Sequence, residues 1–287
     1  MNPIYALLTS ARHTVDLTMY ELEDTHAEQL LADDAARGVD VRVILDHAYI
    51  ATANNAAYSY LLSRGVHVRW ASPLYDLTHQ KTLTVDGTVS VIMSLNWTSR
   101  YYSETRDVAV IDRTASDVAA IVATFNADFA GSRVTPGTGA DLVWSPTTSQ
   151  PVLLQLINGT HRLLLVENEE MGSAAVTDAL VAAAQRGVDV EVCMTNSSSW
   201  VSAFRELVAA GVHVRVYSPN AALYIHAKVL ISDPGTSTQV AFAGSQNFST
   251  TSLRYNRELG ILVHAAALVH QLNTMLQQDF SGATAWG

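Results

Sequence analysis

The 287-residue chain is poor in lysine, cysteine and long apolar segments. Only two of its 17 basic residues are lysine, and 27 acidic residues give it a net charge of −10. This balance argues against a general nucleic-acid-binding protein, which carries a basic footprint. The single cysteine, Cys193, excludes an intrachain disulfide and a cysteine-based zinc site. No apolar run reaches the roughly 18 residues that a membrane-spanning helix needs.

What the chain does contain is an internal duplication. The sequence of residues 37–41 recurs at 186–190, and that of residues 65–69 recurs at 211–215. Residues 131–150, which lie between the copies, are rich in Gly, Ser, Thr and Pro, as linkers are. We therefore predict two homologous domains, residues 1–135 and 136–287.

Each half alternates β-prone apolar runs with helical segments. Residues 14–20 and 39–45 read as strands, and the helix between them is expected to open with a capping box at Thr25 and Glu28 and to end at Gly38. The second half repeats this order from residues 163–167 onward. Helices that cover mainly β core sheets predict an α/β fold of two homologous α/β sandwich halves.

One predicted strand has no counterpart in the other half. The strand-like residues 141–144 precede a helix that begins near Pro151, whereas only two residues precede Pro3, the corresponding position. Natural divergence and the trimming of a longer precursor both account for this difference. The second alternative favours a secreted or periplasmic protein, although no signal peptide opens the chain.

Both lysines lie in the same short pattern. The segment 79–86 has the form His-x-Lys-x4-Asp, and so does the segment 226–233, 147 residues later. With 10 histidines in the chain, two lysines would each follow a histidine by two positions with odds of about one in a thousand. The residues of the pattern are His79, Lys81, Asp86, His226, Lys228 and Asp233. Because the chain uses arginine everywhere else, lysine at these two places indicates a specific role.

Matched polar residues follow each copy of the pattern. A Ser-x-Asn or Ser-Gln-Asn triplet comes first, and an acid lies eleven residues after each asparagine. The second copy has four additional residues before its asparagine, which fit a longer turn at 234–237. The matched residues are Ser94, Asn96 and Asp107 in the first half and Ser245, Asn247 and Glu258 in the second.

The duplicated pattern with its serine and asparagine resembles the phospholipase D superfamily, and the resemblance covers nearly the whole chain. The flanking residues 223–228 and 256–260 look most like bacterial cardiolipin-synthase-like and phospholipase-D-like proteins. The family's architecture implies that the halves pack about a pseudo-twofold axis and that both patterns converge on one phosphate site. It also implies a monomer that contains an internal pseudo-dimer.

A phosphodiester resists attack until its charge is offset and the departing alkoxide is protonated. The resemblance implies that one histidine forms a covalent phosphohistidine while the other protonates the leaving oxygen. By analogy we assign His79 as the nucleophile and His226 as the general acid, an order that the sequence leaves open. The groups that hold the nonbridging oxygens are Lys81, Lys228, Asn96 and Asn247, with Ser94 and Ser245 as auxiliary donors. This mechanism requires no metal and no other cofactor.

Further roles are expected for the acidic residues. Asp107 and Glu258 are expected to bond the second ring nitrogen of a catalytic histidine and fix its tautomer. Asp86 and Asp233 follow their strands at turns, where an Asx-type turn, a buried bond between the halves and a catalytic role all remain open.

Two more candidates stand at strand ends. Tyr20 and Glu21 align with Asn168 and Glu169 at the ends of matched strands, where α/β proteins collect polar groups. Tyr20 and Glu169 are therefore candidates for substrate binding at the entrance of the site, with a solvated loop as the alternative.

Three functions fit the pattern. We predict a phospholipase D that binds a phospholipid at a membrane surface, as a peripheral protein, and hydrolyses its headgroup or transfers the lipid to an alcohol. An endonuclease of the same superfamily is the alternative, and acidic net charge disfavours it, as it does any nucleic-acid partner. A non-enzymatic phosphate-binding protein is the third, which the intact residues of both halves disfavour.

Overall fold

Two similar mixed α/β units make up the chain, which a computed structural model describes over residues 1–287. The elements of the first half are α1 (Asn2–Thr9), β1 (Thr14–Met19), α2 (Thr25–Ala36), β2 (Asp40–Leu45), α3 (Ala51–Ser63), β3 (His67–Trp70), β4 (Thr82–Val85), β5 (Val89–Met93), β6 (Thr105–Arg106), β7 (Ala109–Asp112) and α4 (Ala115–Phe129). Those of the second half are β8 (Leu142–Ser145), α5 (Ser149–Gly159), β9 (Leu163–Glu167), α6 (Ala174–Gln185), β10 (Asp189–Thr195), α7 (Val201–Ala209), β11 (His213–Tyr217), β12 (Tyr224–Ile225), β13 (Val229–Ser232), β14 (Val240–Gly244), α8 (Thr250–Arg254), β15 (Glu258–Val263), α9 (Ala266–Gly282) and β16 (Thr284–Ala285).

The two sheets share one strand order, which confirms the predicted duplication of an α/β fold. The first sheet has the order β3-β2-β1-β4-β5-β7, and the second contains the matching run β11-β10-β9-β13-β14-β15. In both runs the first three strands are parallel and the next three are antiparallel. The second sheet is extended by β16 at one edge and by β8 at the other. Strand β8 is the one predicted at residues 141–144, and the first sheet has no counterpart.

Three large apolar clusters hold these layers together. Helices α1 to α3 pack on the first sheet, and α5 to α7 pack on the second, each through a continuous set of buried aliphatic side chains. The third cluster contains residues of both halves, with Ile92 and Ile121 from the first and Trp144, Val229 and Leu259 from the second. The halves therefore share an apolar interface that neither would bury alone.

Polar contacts between the halves occur in equivalent pairs, as a pseudo-twofold axis requires. Strand β6 pairs with β12 of the other half, where Ile225 lies opposite Arg106. The equivalent bridge joins Thr78 to Arg257. In each case the segment just before the His-x-Lys pattern of one half contacts the segment just before the acid of the other half.

The start of helix α2 differs from the prediction by one position. Its N-cap is Asp24, whose carboxylate accepts hydrogen bonds from the backbone N–H groups of His26 at 3.0 Å and Ala27 at 3.2 Å. The predicted capping box at Thr25 and Glu28 was wrong because aspartate is an equally good cap and stands directly before it. The helix ends as predicted ahead of Gly38, which has a φ of +89°. No helix combines the length and apolar composition that crossing a bilayer requires.

Candidate active site

The residues of the two His-x-Lys patterns lie beside one another between the two sheets. His79 and Lys81 directly precede β4, and Asn96 follows β5. Their counterparts directly precede β13 and follow β14. Because β4 and β13 are central strands of their sheets, they fix the backbone on which these side chains stand. His79 Nδ1 lies 3.2 Å from the carbonyl oxygen of Ser245, which belongs to the other half, so the structure brings residues of both halves into one site.

Each histidine is paired with a carboxylate of the other half. His79 Nδ1 lies 2.9 Å from Glu258 Oε2, and His226 Nδ1 lies 2.7 Å from Asp107 Oδ1. A carboxylate at this distance favours the tautomer with the proton on Nδ1, which leaves Nε2 for chemistry. All four side chains come together as the sequence predicts, and the crossing between halves is an additional finding.

The two carboxylates are themselves held by hydrogen bonds. Ser252 Oγ donates to Glu258 Oε1 at 2.6 Å, and Asn256 Nδ2 donates to the same oxygen at 3.1 Å. Ser94 Oγ donates to Asp107 Oδ1 at 2.6 Å. Burial by itself would raise the pKa of both acids, but their histidine partners outweigh it and keep both pKa values below the usual range. Both groups are therefore carboxylates at neutral pH.

Ser94 and Ser245, predicted as auxiliary donors to the substrate, are engaged elsewhere in the structure. The hydroxyl of Ser94 serves Asp107, as described above. Ser245 Oγ donates to the carbonyl of Leu259 at 3.3 Å and accepts from its N–H at 3.2 Å. The geometry thus gives Ser94 a positioning contact and gives Ser245 a main-chain contact.

Both lysines are almost fully buried, and each donates to the carbonyl of the histidine two residues earlier. Lys81 Nζ lies 2.6 Å from the oxygen of His79, and Lys228 Nζ lies 2.5 Å from that of His226. The two lysines differ in their second neighbour. The centroid of the Tyr20 ring lies 4.8 Å from Lys81 Nζ, whereas Lys228 Nζ donates a hydrogen bond to a carboxylate at 3.0 Å. Burial lowers the pKa of Lys81 to about 7.

The carboxylate on Lys228 belongs to Glu169, and its position corrects the sequence alignment. Strand registers place Thr14 opposite Asp40 and Leu163 opposite Asp189, so the equivalent strands are 149 residues apart. Tyr20 is therefore the counterpart of Glu169 and not of Asn168. The prediction was wrong by one residue because it was anchored at two prolines ahead of the strands, where the second half has one residue more. Both Tyr20 and Glu169 nevertheless lie in the site.

The two asparagines also differ in their contacts. Asn247 Nδ2 donates to Glu169 Oε2 at 3.3 Å and to Glu170 Oε1 at 3.2 Å. The side-chain oxygens of Asn96 and Asn247 are buried without a hydrogen-bond partner. Such unsatisfied polar atoms cost free energy and gather at functional sites.

Asp86 and Asp233 lie apart from the histidines. The carboxylate of Asp86 accepts hydrogen bonds from three consecutive N–H groups, those of residues 12–14, at 2.7–3.1 Å. Asp233 does the same with residues 161–163. Both residues have a left-handed φ, +52° and +48°. Each bond set lies within one half, so the predicted alternative of a bond between the halves is wrong.

A cavity of about 750 Å³ opens beside His226. Four carboxylates line it, and no lysine or arginine does. Three tyrosines complete much of its wall. The charged and aromatic lining residues are Glu21, Glu104, Asp107, Glu169, Tyr101, Tyr102 and Tyr224. No group of three or more His, Cys, Asp or Glu side chains is arranged to hold a metal ion.

Sequence reasoning missed two ion pairs that cross between the halves. Arg257 Nε lies 2.9 Å from Asp128 Oδ2, and Arg106 Nη2 lies 2.7 Å from Asp279 Oδ1. Each arginine directly precedes the acid that holds a histidine. The signal was the repeated Arg-acid dipeptide at 106–107 and 257–258, with partner aspartates at the same spacing of 151 residues.

Comparison with known proteins gives a consistent result for both halves. A family model described as "Cardiolipin synthase, PLD-like domain" matches residues 4–130 and again residues 153–280. Cardiolipin synthase A of Pseudomonas putida is 26% identical over 324 residues, which cover 98% of this chain and 66% of that protein. A cardiolipin synthase of Listeria monocytogenes is 22% identical over 296 residues, covering 88% of this chain and 60% of that protein. The chain thus spans about two thirds of the length of these relatives.

Solved structures show the same fold. A phosphatidylserine synthase of Haemophilus influenzae superposes with a TM-score of 0.74 at 12% identity, over 99% of this chain and 85% of that one. A polyphosphate kinase of Porphyromonas gingivalis gives 0.74 at 15% identity, over 96% of this chain and 44% of that one. Since the family model matches both halves, the chain belongs to the family of cardiolipin synthase PLD-like domains, within the phospholipase D superfamily.

Proposed function

We propose that this protein transfers the phosphatidyl group of a glycerophospholipid to an alcohol, or to water, through a covalent phosphohistidine. The observation that carries the proposal is the pair of imidazoles, each backed at Nδ1 by a carboxylate of the opposite half. Two imidazoles that are held at Nδ1 and can react at Nε2 supply one nucleophile and one acid–base group, and two-step phosphoryl transfer needs both.

In the first step, Nε2 of neutral His79 attacks phosphorus and the bond from phosphorus to the headgroup oxygen breaks. His226, protonated at Nε2, gives its proton to that oxygen and becomes neutral. His226 suits this role because it lines the open cavity, through which a headgroup can leave. Lys81 and Lys228 offset the charge that develops on the nonbridging oxygens.

In the second step, neutral His226 takes the proton of an incoming hydroxyl group. The oxygen of that hydroxyl attacks phosphorus, the bond from phosphorus to His79 Nε2 breaks, and both histidines return to their starting states. An alcohol gives a new phosphatidyl-alcohol and water gives phosphatidic acid. Cardiolipin synthesis is the case in which the hydroxyl belongs to phosphatidylglycerol.

Two observations favour a lipid over a nucleic acid as the substrate. The relatives that match along nearly the whole chain are named cardiolipin synthases. The cavity beside His226 is lined by four carboxylates and by no lysine or arginine, which opposes the approach of a polyanion.

The test is a product analysis on mixed vesicles of phosphatidylglycerol, phosphatidylethanolamine and phosphatidylcholine, with a primary alcohol and EDTA present. His79→Ala serves as the blank. We expect a phosphatidyl-alcohol that is absent from the blank, and any cardiolipin will be resolved in the same chromatogram. A folded protein that forms no lipid product but nicks plasmid DNA would replace this proposal with the nuclease alternative.

A further inference from the structure

One carboxylate oxygen stands where the second half would hold a phosphoryl oxygen. Glu169 Oε2 lies 3.0 Å from Lys228 Nζ and 3.3 Å from Asn247 Nδ2. The same oxygen lies 3.5 Å from His226 Nε2. Lysine ammonium, asparagine amide and imidazole are the groups that the mechanism aims at the phosphate. All three therefore already converge on an anion that belongs to the protein.

The first half has no such anion. The equivalent position holds Tyr20, whose ring faces Lys81 and lies edge-on to the His79 ring at 4.8 Å. Lys81 thus has an aromatic face as its neighbour where Lys228 has a carboxylate. Glu169 is thus hydrogen-bonded to Lys228, whereas Lys81 donates to a backbone carbonyl and to no carboxylate.

Glu169 also belongs to the wall of the cavity. Its second oxygen, Oε1, accepts a hydrogen bond from the Tyr224 hydroxyl at 3.0 Å. Although its burial opposes charge, Lys228 and His226 outweigh this effect and hold the pKa of Glu169 far below its usual range. The side chain is therefore an anion that bridges the phosphate-holding groups and the cavity beside His226.

The rest of the cavity has the same sign of charge. Glu21, Glu104 and Asp107 line it together with Glu169. Arg100, which lies 2.6 Å from Glu23 and 3.6 Å from Glu21, is not itself part of the lining. A carboxylate of Glu169 that leaves Lys228 therefore remains in a wall that already holds three other carboxylates.

We propose that Glu169 competes with the substrate's phosphoryl group for Lys228 and Asn247 and so weakens the binding of a phosphate in the second half of the site. Once displaced by the phosphodiester, the carboxylate stays in the cavity wall beside Tyr224. This competition does not depend on the proposed transfer reaction, because it concerns the binding of an oxyanion and not its turnover.

Anion binding tests the competition without any turnover. Calorimetric titration with tungstate, a tetrahedral oxyanion, is compared for the wild type, Glu169→Gln and Glu169→Asp, with Glu206→Gln on the exposed face of α7 as the control. We expect Glu169→Gln to bind tungstate at least about tenfold more tightly, because it removes the competing charge. Glu169→Asp, whose shorter side chain withdraws the carboxylate from Lys228, should fall between. Equal affinities in the wild type and both Glu169 variants would overturn the proposal.

Discussion

The imidazole of His79 is held by Glu258, a residue 179 positions later in the chain and in the other half of the protein. The reciprocal contact joins His226 to Asp107. Each histidine therefore takes its orientation from the half to which it does not belong. The site is a property of the interface, and the apolar cluster that the halves share keeps it assembled.

Variants of the two histidines should behave differently toward an activated diester. Bis(4-nitrophenyl) phosphate has a leaving group that needs no protonation, so it bypasses the general acid in the first step but not the base in the second. We expect His226→Asn to release a burst of about one nitrophenolate per enzyme and then stall, because the phosphohistidine forms and persists. His79→Asn should show no burst.

Rapid-quench kinetics measures the size of the nitrophenolate burst, and mass spectrometry detects the phosphohistidine. Wild-type enzyme, with a steady-state rate well above both variants, is the reference. A burst in His79→Asn and none in His226→Asn would reverse the assignment. Bursts in neither variant would contradict a covalent intermediate on these histidines.

The dependence of kcat/KM on pH should be bell-shaped. Burial and the neighbouring Lys81 lower the pKa of His79 from its ordinary value of 6.5, so the nucleophile stays neutral at lower pH and the acidic limb should lie below 6.5. Burial lowers the pKa of Lys81 to about 7, so its charge is lost as the pH rises through that value and the alkaline limb should begin there. A soluble diester assayed across both limbs gives the profile. A rate that only rises with pH would contradict these roles.

Removal of one partner from a buried ion pair between the halves should cost several kcal/mol of stability. Arg257 is buried beside Asp128, and Arg257→Met would leave that carboxylate without its cation. We expect the free energy of unfolding to fall by about 3–5 kcal/mol. Urea denaturation measures it.

An exposed pair supplies the control for this effect. His67 Nδ1 and Asp40 Oδ1 lie 3.2 Å apart on the surface, and Asp40→Asn should change stability by less than about 0.5 kcal/mol. The double variant Arg257→Met, Asp128→Leu should recover part of the loss, since no charge is left buried. If Arg257→Met and Asp40→Asn both changed the free energy of unfolding by less than about 0.5 kcal/mol, the prediction for the buried pair would be wrong.

Asp86 should act on stability and not on catalysis. Its carboxylate satisfies three backbone N–H groups, and its left-handed φ suits aspartate and asparagine better than alanine. We expect Asp86→Ala to lower the free energy of unfolding by about 2–4 kcal/mol and Asp86→Asn by less. In both, kcat of the folded protein should stay within about threefold of the wild type. A loss of 100-fold or more in folded Asp86→Asn would instead support a catalytic role.

The candidate residues of the site could be selected from the sequence because each is marked by residue type and by repetition. Two lysines in the whole chain, each two residues after a histidine, point to the same chemistry twice. Strand boundaries follow in the same way from apolar runs: residues 163–167 were predicted as a strand and form β9. Such local signals need no knowledge of the partner half.

The relations across the interface could not be predicted from repetition. A duplication shows which residues are equivalent, but it does not show that Glu258 reaches His79 and not the histidine of its own half. The equivalence of Tyr20 and Glu169 was missed because the alignment was anchored at Pro3 and Pro151, which are 148 residues apart. The repeat of residues 37–41 at 186–190 carries the offset of 149 that the strand registers show. Tyr20 and Glu169 occupy equivalent positions of the two halves, and only Glu169 carries a charge.

The crossed pairing of histidines and carboxylates also has a consequence for the order in which the candidate site is completed during synthesis. When the first half leaves the ribosome, His79 and Lys81 are present but the carboxylate that orients His79 has not been translated. Glu258 lies on β15, one of the last strands to be made and paired. We therefore expect a nascent or half-folded chain to lack the proposed activity, which should appear only with the completed fold.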